Sequence, residues 1–225
     1  MTEREFLLRE VPAPEVTGGL FLAIDTAIGT SVAVGHEGRV IEAASADPMA
    51  HAEVIGELIH RALSESGRAG TEVTHVIAGM GPGPFTGLRV GIAAATAYAR
   101  GRGLTPLPLL GHEAVALDAY ALPGARPTLT VLQDARRREL FRTHFTGIDA
   151  DGLPVADGEP TLITRAQEDA EPTEDAHWPE LIPAANLVRL AARRLATGRD
   201  FVSDRARYLR SPDVRQPSAP KRVSS

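Results

Sequence analysis

The chain has 225 residues, with 29 acidic and 24 basic side chains, and its formal net charge is −5. A hydrophobic fraction of 43% is ordinary for a globular protein that buries a core, and no apolar run approaches the roughly 18 residues of a membrane-spanning helix. The negative charge argues against strong nucleic-acid binding by this chain alone, because neutralising phosphates needs a basic face. The absence of cysteine excludes disulfides and cysteine nucleophiles and is typical of a cytoplasmic protein.

The N-terminal 19 residues combine charges with prolines and a Gly18-Gly19 pair, which is typical of a flexible leader rather than of a core element. The pattern changes at Leu20. The run LFLAID predicts a buried strand that ends at Asp25, and two further strands, TSVAVG and RVIEAA, follow after short turns. We therefore expect the fold to begin at residue 20 with an antiparallel meander.

A helix is predicted next, from Asp47 to Ser66. Asp47 is a typical N-cap residue and Pro48 suits the first helical turn, while Gly67 is typical of a helix C-terminus. The apolar stripe of this helix is wide enough to face two partners. A buried strand from Val73 to Met80 follows and leads into the glycine-rich centre of the chain.

The stretch from Gly79 to Ala99 combines an unusual loop with an unusual helix. The loop lacks the lysine of a phosphate-binding loop, and Pro82 and Pro84 remove N–H groups that such a loop would use, so a rigid strand-to-helix turn is the preferred interpretation. The helix is predicted from Thr86 to Arg100 and contains Gly91, which costs about 1 kcal/mol relative to alanine inside a helix. Close approach of another backbone would explain this glycine.

The second half of the chain predicts a short strand within residues 104–111, a short helix over 112–122 and two strands joined by a charged turn. This turn contains Asp134 and the arginines 136–138, and both a solvated hairpin turn and an anion-binding corner fit it. An amphipathic helix is predicted over 183–198. We expect four segments in all: a flexible leader (1–19), a first lobe (20–105), a smaller second lobe (106–211) and a flexible tail (212–225).

The central motif GPGPFTGLRVGIAAATAYA resembles the signature of the bacterial TsaB (YeaZ) family, which is GPGSFTGLR, then isoleucine or valine, then glycine and an alanine-rich helix. The resemblance extends to LFLAIDTAIGTSVAVG, DARRRELFRTHF and RYLRSPDV, in the order of the family. Together these stretches cover about half of the chain. The sequence departs from the family at Pro84, where serine is usual, in the stretch 166–181 and in its added N-terminal segment.

The resemblance implies an α/β fold of the actin/Hsp70-like (ASKHA) class, with two lobes of mixed sheets flanked by helices. It also implies a non-catalytic scaffold subunit of the bacterial complex that makes threonylcarbamoyladenosine on tRNA next to the anticodon. The chain would bind and activate the catalytic paralogue TsaD and meet the ATPase subunit TsaE through the complex. It would touch tRNA only indirectly and make no membrane contact, and in isolation both a homodimer and a monomer fit the resemblance. It would bind no cofactor alone, because ATP and a metal are expected in the catalytic partner.

Three residues are candidates for contact with an anion or a nucleotide. In the actin-like fold that the resemblance implies, Asp25 and Thr26 occupy the strand end and turn that touch phosphate or metal, although a turn that merely closes the hairpin fits them too. Arg89 falls in the first turn of the central helix, where a cation is unfavourable unless an anion pairs with it. We expect that anion to be a carboxylate of the same lobe or a group from a partner or nucleotide.

A partner interface is predicted on the two helices over 47–66 and 86–100. Small residues of the second helix would form a groove that lets a neighbouring helix approach closely. The predicted interface residues are Val54, Ile55, Leu58, Gly87, Leu88, Gly91, Ala94 and Ala95.

The rival interpretation is an enzyme: a stand-alone actin-like ATPase or kinase, or an M22-type metallopeptidase, that uses Asp25 and the glycine-rich loop. The catalytic paralogues of the family hold a metal with two histidines on one helical turn, and the sequence contains no His-x-x-x-His pair. His112, in HEAVA, lacks the second histidine of a zinc protease. The sequence therefore predicts a pseudo-enzyme without a metal site.

Overall fold

The computed structural model describes residues 6–209, which form two β-sheets with helices packed against them. The first sheet contains β1 (Leu7–Pro12), β2 (Phe21–Asp25), β3 (Thr30–His36), β4 (Arg39–Ser45), β5 (His75–Gly79) and β6 (Leu107–Leu109). The second contains β7 (Leu129–Asp134), β8 (Glu139–Ile148), β9 (Pro154–Ala156), β10 (Thr161–Thr164) and β11 (Ala176–His177). The helices are α1 (His51–Ser66), α2 (Phe85–Gly101), α3 (Gly111–Tyr120), α4 (Arg165–Ala170) and α5 (Ala184–Thr197). No helix within residues 6–209 is long and apolar enough to cross a membrane.

The first sheet has the strand order β1-β4-β3-β2-β5-β6. Strands β2 to β4 form the predicted antiparallel meander, whereas β5 pairs in parallel with β2, and β6 in parallel with β5. Successive side chains of a strand point to opposite faces of the sheet. On β2, Leu22 and Ile24 pack with α1 and α2, while Phe21 and Ala23 pack with α3 and α5. Helices on both faces therefore explain why β2 is apolar at every position before Asp25.

The segment before residue 20 belongs to the fold, so the predicted flexible leader (1–19) is wrong for its described part. β1 pairs antiparallel with β4 along its whole length and forms one edge of the sheet. Ala13 and Val16 are fully buried in the core. The carboxylate of Glu15 ties the segment to α5, because its Oε1 lies 2.8 Å from Nε of Arg189 and 2.8 Å from Nη2 of Arg193.

The helix α1 begins later than predicted, at His51. Its N-cap is Ala50, which makes no side-chain capping hydrogen bond, and the predicted cap Asp47 instead accepts a hydrogen bond of 2.9 Å from the N–H of Met49. Asp47 therefore closes a turn ahead of the helix. The predicted end is confirmed, since Gly67 adopts the left-handed conformation that terminates α1, with φ of 70°. The bounds of α2 differ from the prediction by one residue at each end.

The second sheet has the order β10-β8-β7-β11, with β9 paired to β8. β7 and β8 form the predicted hairpin around the charged turn. The helix predicted over 183–198 is α5, and it packs on the first sheet, where Leu187, Val188 and Leu190 are fully buried. β6 also joins the first sheet, so elements from beyond the predicted boundary at residue 105 complete it. The predicted tail, 212–225, lies outside the described residues.

Candidate functional site

Asp25 lies at the end of β2, sealed under the turn that follows it. It is 1% exposed, and its Oδ1 accepts a hydrogen bond of 2.7 Å from the N–H of Ala27. Oδ2 has no hydrogen-bond partner among the described residues and lies against Gly79, where a Cβ atom would overlap it. Burial raises the pKa of Asp25 to about 7, and the hydrogen bond from Ala27 opposes this change only in part. The carboxyl group therefore touches no open surface.

Thr26 is built into the first turns of α2. Its hydroxyl donates to the carbonyl of Gly87 at 2.6 Å and accepts from the N–H of Gly91 at 3.0 Å, two groups that a regular helix pairs with each other. A Cβ atom at Gly87 would lie 2.6 Å from the carbonyl oxygen of Thr26, and one at Gly91 would overlap the hydroxyl. A close contact exists at Gly91, but the side chain of Thr26 in the same chain makes it, and not the predicted approach of another backbone. The prediction that these two glycines form a groove for a partner helix is wrong.

Most of the other predicted interface residues are buried inside this chain. The residues exposed by 1% or less are Val54, Leu58, Leu88 and Ala95. Ile55 and Ala94 are half-buried at the edge of the same core. The exposed positions of the helix pair include four small residues, Ala52, Gly56, Ala93 and Ala97, and also the polar residues Glu53, Glu57 and His60 of α1. The sequence pattern could not show which side of each helix is open, because that depends on what each helix packs against.

Arg89 projects from the exposed side of the first turns of α2. Its guanidinium lies 4.4 Å from the centre of the Phe85 ring, and that ring packs at 4.8 Å against Tyr208. No carboxylate among the described residues pairs with Arg89, so the expected partner from the same lobe is not found within residues 6–209. A cation–π contact takes its place.

A cleft of about 500 Å³ opens between the start of α2, the β2–β3 turn and the β7–β8 hairpin. Gly29, Thr86 and Arg136 contribute to its lining, whereas Asp25 and Thr26 lie beneath the turn and do not reach it. Neither of these two candidates is therefore placed to contact a nucleotide in this conformation. Within residues 6–209 no three His, Asp or Glu side chains are placed to hold a metal ion.

The β7–β8 turn has an unusual backbone. Three successive residues, Arg136, Arg137 and Arg138, have φ angles of 65°, 52° and 62°, a region that residues other than glycine rarely adopt. The carboxylate of Asp134 accepts a hydrogen bond of 3.1 Å from the N–H of Arg136. The hairpin itself was predicted, but its run of positive φ angles has no sequence signal, because glycine and asparagine are the residues that indicate this conformation.

A buried polar network joins the two sheets. The amide of Gln133 on β7 donates to the carbonyl of Ala27 at 3.1 Å and accepts from Nε2 of His112 at 2.9 Å. Nδ1 of His112 lies 2.7 Å from the hydroxyl of Thr143 on β8 and accepts from it. Burial lowers the pKa of His112 to about 4, so the ring is neutral at physiological pH. Sequence reasoning missed this role, because Gln133 and Thr143 are distant from His112 in the chain and no local pattern pairs them with it.

Two mixed sheets with helices packed against them and a cleft between them define a protein of the actin-like, or ASKHA, class. A solved structure, YeaZ from Pseudomonas aeruginosa, has this fold and aligns with a TM-score of 0.72 over 83% of this chain and 96% of that chain, at 24% sequence identity. The family model described as TsaD: tRNA N6-adenosine threonylcarbamoyltransferase matches residues 43–152. The fold class predicted from the sequence is therefore confirmed.

Two relatives extend the comparison at the level of sequence. The tRNA threonylcarbamoyladenosine biosynthesis protein TsaB of Escherichia coli (strain K12) is 34% identical over 125 residues, which are 55% of this chain and 54% of that protein. An uncharacterized protein of Mycobacterium leprae is 36% identical over 153 residues, which are 64% of this chain and 40% of that protein. These relatives and the YeaZ structure support the resemblance to the TsaB (YeaZ) family that the central motif indicated. The chain spans about half the length of the curated relatives that it matches.

Proposed function

We propose that this chain is a non-catalytic scaffold subunit of the complex that makes threonylcarbamoyladenosine on tRNA next to the anticodon, and that it binds and activates the catalytic paralogue TsaD. Similarity to proteins named for tRNA threonylcarbamoyladenosine biosynthesis supports the modification reaction. The observation that carries the scaffold role is the outer face of α1 and α2, where four exposed small residues lie beside charged side chains; these small residues are Ala52, Gly56, Ala93 and Ala97. A face of this kind suits helix-to-helix packing between related subunits.

The two helices lie side by side on one face of the first sheet, and each presents small residues to the outside. Gly56 is exposed on α1, and nothing lies within 4 Å of the position that its Cβ would take. Ala52 lies one turn before it, and Ala93 and Ala97 line α2. Such residues let a neighbouring helix approach to about 8 Å, the near limit of usual interaxial distances. Two copies of this chain are expected to pair through the same face when TsaD is absent.

In this proposal the chain itself catalyses no reaction. Asp25 is sealed from the cleft and Thr26 is tied into α2, which argues against the rival enzyme, whether a stand-alone ATPase, a kinase or an M22-type metallopeptidase. ATP and a metal then bind to the catalytic partner. The ATPase subunit TsaE joins through the complex, and the protein acts in the cytoplasm. Metal-dependent ATP hydrolysis by the purified chain, lost in Asp25→Ala, would favour the rival.

Gly56→Leu tests the interface. In the isolated chain the new side chain points into open space and raises helix propensity by about 0.8 kcal/mol, so we expect the melting temperature to stay the same or rise by about 2 °C. At a close helix contact the same side chain overpacks, which costs about 1 to 3 kcal/mol, so affinity for TsaD should fall roughly tenfold. Titration calorimetry with TsaD from the same organism measures this loss, and a tRNA-modification assay measures its consequence.

Two control variants separate binding from folding. Ala170→Leu adds the same side chain to the exposed end of α4 and is expected to leave TsaD affinity unchanged. Gly91→Leu places that side chain against Thr26 and is expected to lower the melting temperature, because the β2–β3 turn occupies the space. Wild-type affinity in Gly56→Leu would show that the interface lies elsewhere.

A further inference from the structure

The turn between β7 and β8 contains three arginines at positions whose positive φ angles favour glycine. Arg136, Arg137 and Arg138 all have positive φ, a conformation in which the Cβ atom crowds a neighbouring carbonyl oxygen. Glycine adopts it freely, because it has no Cβ. Local strain of this kind clusters at functional sites. The arginine side chains therefore need an explanation beyond the formation of the turn.

Main-chain hydrogen bonds hold this turn without help from the side chains of Arg136 and Arg138. The N–H of Ala135 donates to the carbonyl of Glu139 at 2.9 Å, and the N–H of Arg165 donates to the carbonyl of Arg138 at 2.8 Å. Both guanidinium groups are exposed and form no ion pair or hydrogen bond with the described part of the chain. Their charges are available to a ligand.

A further exposed arginine, Arg89, lies on α2 close to a residue that lines the cleft. Arg136 lines the cleft from the hairpin, and Thr86 lines it from α2. Arg89 lies one turn beyond Thr86 on the same side of α2, because helical residues three apart share a face. It lies in the second turn of α2, which begins at Phe85, and residues 6–209 supply no carboxylate to it. Stacking on Phe85 leaves the edge of its guanidinium free to donate hydrogen bonds.

The residues that line the cleft carry little net positive charge. Within the lining, the charge of Arg136 is opposed by that of Asp134, and burial lowers the pKa of His51, which favours its neutral form. Separate cations on the hairpin and on α2 suit a nucleic-acid backbone, which carries one charge per phosphate, better than they suit the concentrated charge of a triphosphate. Guanidinium groups also donate paired hydrogen bonds to phosphate oxygens.

We propose that Arg89, Arg136 and Arg138 form an arginine rim that binds phosphate groups of RNA. The inference rests on the proposed function, in which tRNA is the substrate of the complex. The catalytic partner holds most of the tRNA, because the whole chain has a net charge of −5, and the arginine rim adds a small number of phosphate contacts beside the cleft. The expectation that this chain meets tRNA only indirectly followed from net charge, which says nothing of how the arginines are distributed.

The test measures binding of an unmodified tRNA transcript to the complex of the full-length chain with its catalytic partner. The variant Arg136→Gly/Arg138→Gly removes two charges and two side chains at positive φ. We expect its isolated melting temperature to rise by about 2 °C or more. The dissociation constant for tRNA should rise roughly tenfold at fixed ionic strength, and the slope of log affinity against log salt should become shallower by about 1 to 2.

Arg126→Gln/Arg199→Gln is the charge-matched control. Arg126 precedes β7, at the end opposite the turn, and Arg199 follows α5, so tRNA affinity and salt slope should match the wild type. An unchanged affinity and slope in the rim variant, a lower melting temperature, or an equal loss in the control would each overturn the proposal. ATP binding that depends on the rim, with tRNA binding intact, would assign these arginines to a free nucleotide. A wild-type complex that binds but fails to modify tRNA would refute the proposed function alone.

Discussion

At the scale of single residues, Asp25 combines a fully enclosed carboxyl group with an oxygen that has no hydrogen-bond partner in the described chain. Burial raises its pKa from the ordinary value of 3.8 to about 7. Between about pH 4 and pH 7 the native chain therefore keeps a proton that the unfolded chain has released. It follows that Asp25 makes the native state less stable as the pH rises through this window.

Asp25→Asn imitates the protonated carboxyl group and should remove this dependence. We expect the free energy of unfolding of the variant, minus that of the wild type, to increase by up to about 1.4 kcal/mol per pH unit between pH 4 and pH 7. Urea denaturation at a series of pH values measures the difference. A difference that stays constant over the series would contradict the raised pKa.

Gly91 shows how far reasoning from single residues extends. A glycine inside a helix predicted the close approach of another backbone, whereas the side chain of Thr26 makes the contact. The neighbour could not be predicted, because Thr26 is 65 positions away and a hydroxyl inserted into a distant helix leaves no local pattern. The positive φ angles of the three-arginine turn were likewise invisible, since the hairpin geometry rather than the residue type imposes them.

At the scale of elements, β1 is the largest difference between the sequence-based prediction and the structure. An edge strand has one neighbouring strand and exposes most of its side chains, so hydrophobic alternation carries little information about it. Long-range polar contacts hold β1 instead. Oε2 of the buried Glu42 accepts a hydrogen bond of 2.6 Å from Arg9, and its Oε1 accepts one of 3.0 Å from the N–H of Ala185 at the start of α5. Glu42 thus ties β1, β4 and α5 together.

Deletion of residues 1–12 should therefore destabilise the protein. It removes one of the two partners of Glu42 and exposes the edge of β4. Leaving a buried carboxylate less well paired costs about 2 kcal/mol, which corresponds to a fall of roughly 4 to 8 °C in melting temperature. Deletion of residues 1–5 keeps β1 and is the control. Superimposable melting curves for the wild type and the longer deletion would restore the flexible-leader interpretation.

Elements with strong periodicity were predicted to within one residue at each end, as α2 and α5 show. The start of α1 was not, because an aspartate before a proline is typical both of a helix N-cap and of a closed turn, and here Asp47 closes a turn. The central motif and the order of strands and helices were sufficient for the fold class. The open faces of α1 and α2 were not predictable, because which stripe is buried depends on the sheet and turn that each helix meets.

At the scale of the whole molecule, the two sheets are joined by buried polar groups as well as by apolar packing. Gln133 on β7 bridges His112 and the β2–β3 turn, and the apolar core contains Phe21 of the first sheet together with Phe145 of the second. Each donor in this network has an acceptor, which fixes the orientation of its members. We therefore expect the two sheets to unfold as one cooperative unit.

His112 gives this junction a pH dependence opposite in sign to that of Asp25. Its pKa is about 4 in the native chain and 6.5 ordinarily, so the unfolded chain binds a proton between these values that the native chain excludes, and native stability falls as the pH decreases through the window. His112→Gln stays neutral, so its free energy of unfolding should lack this fall, which amounts to up to about 1.4 kcal/mol per pH unit in the wild type. Because the two residues oppose each other over nearly the same range, urea denaturation should give a flatter profile for the wild type than for either single variant. A His112→Gln profile parallel to that of the wild type would contradict a neutral, buried histidine at this junction.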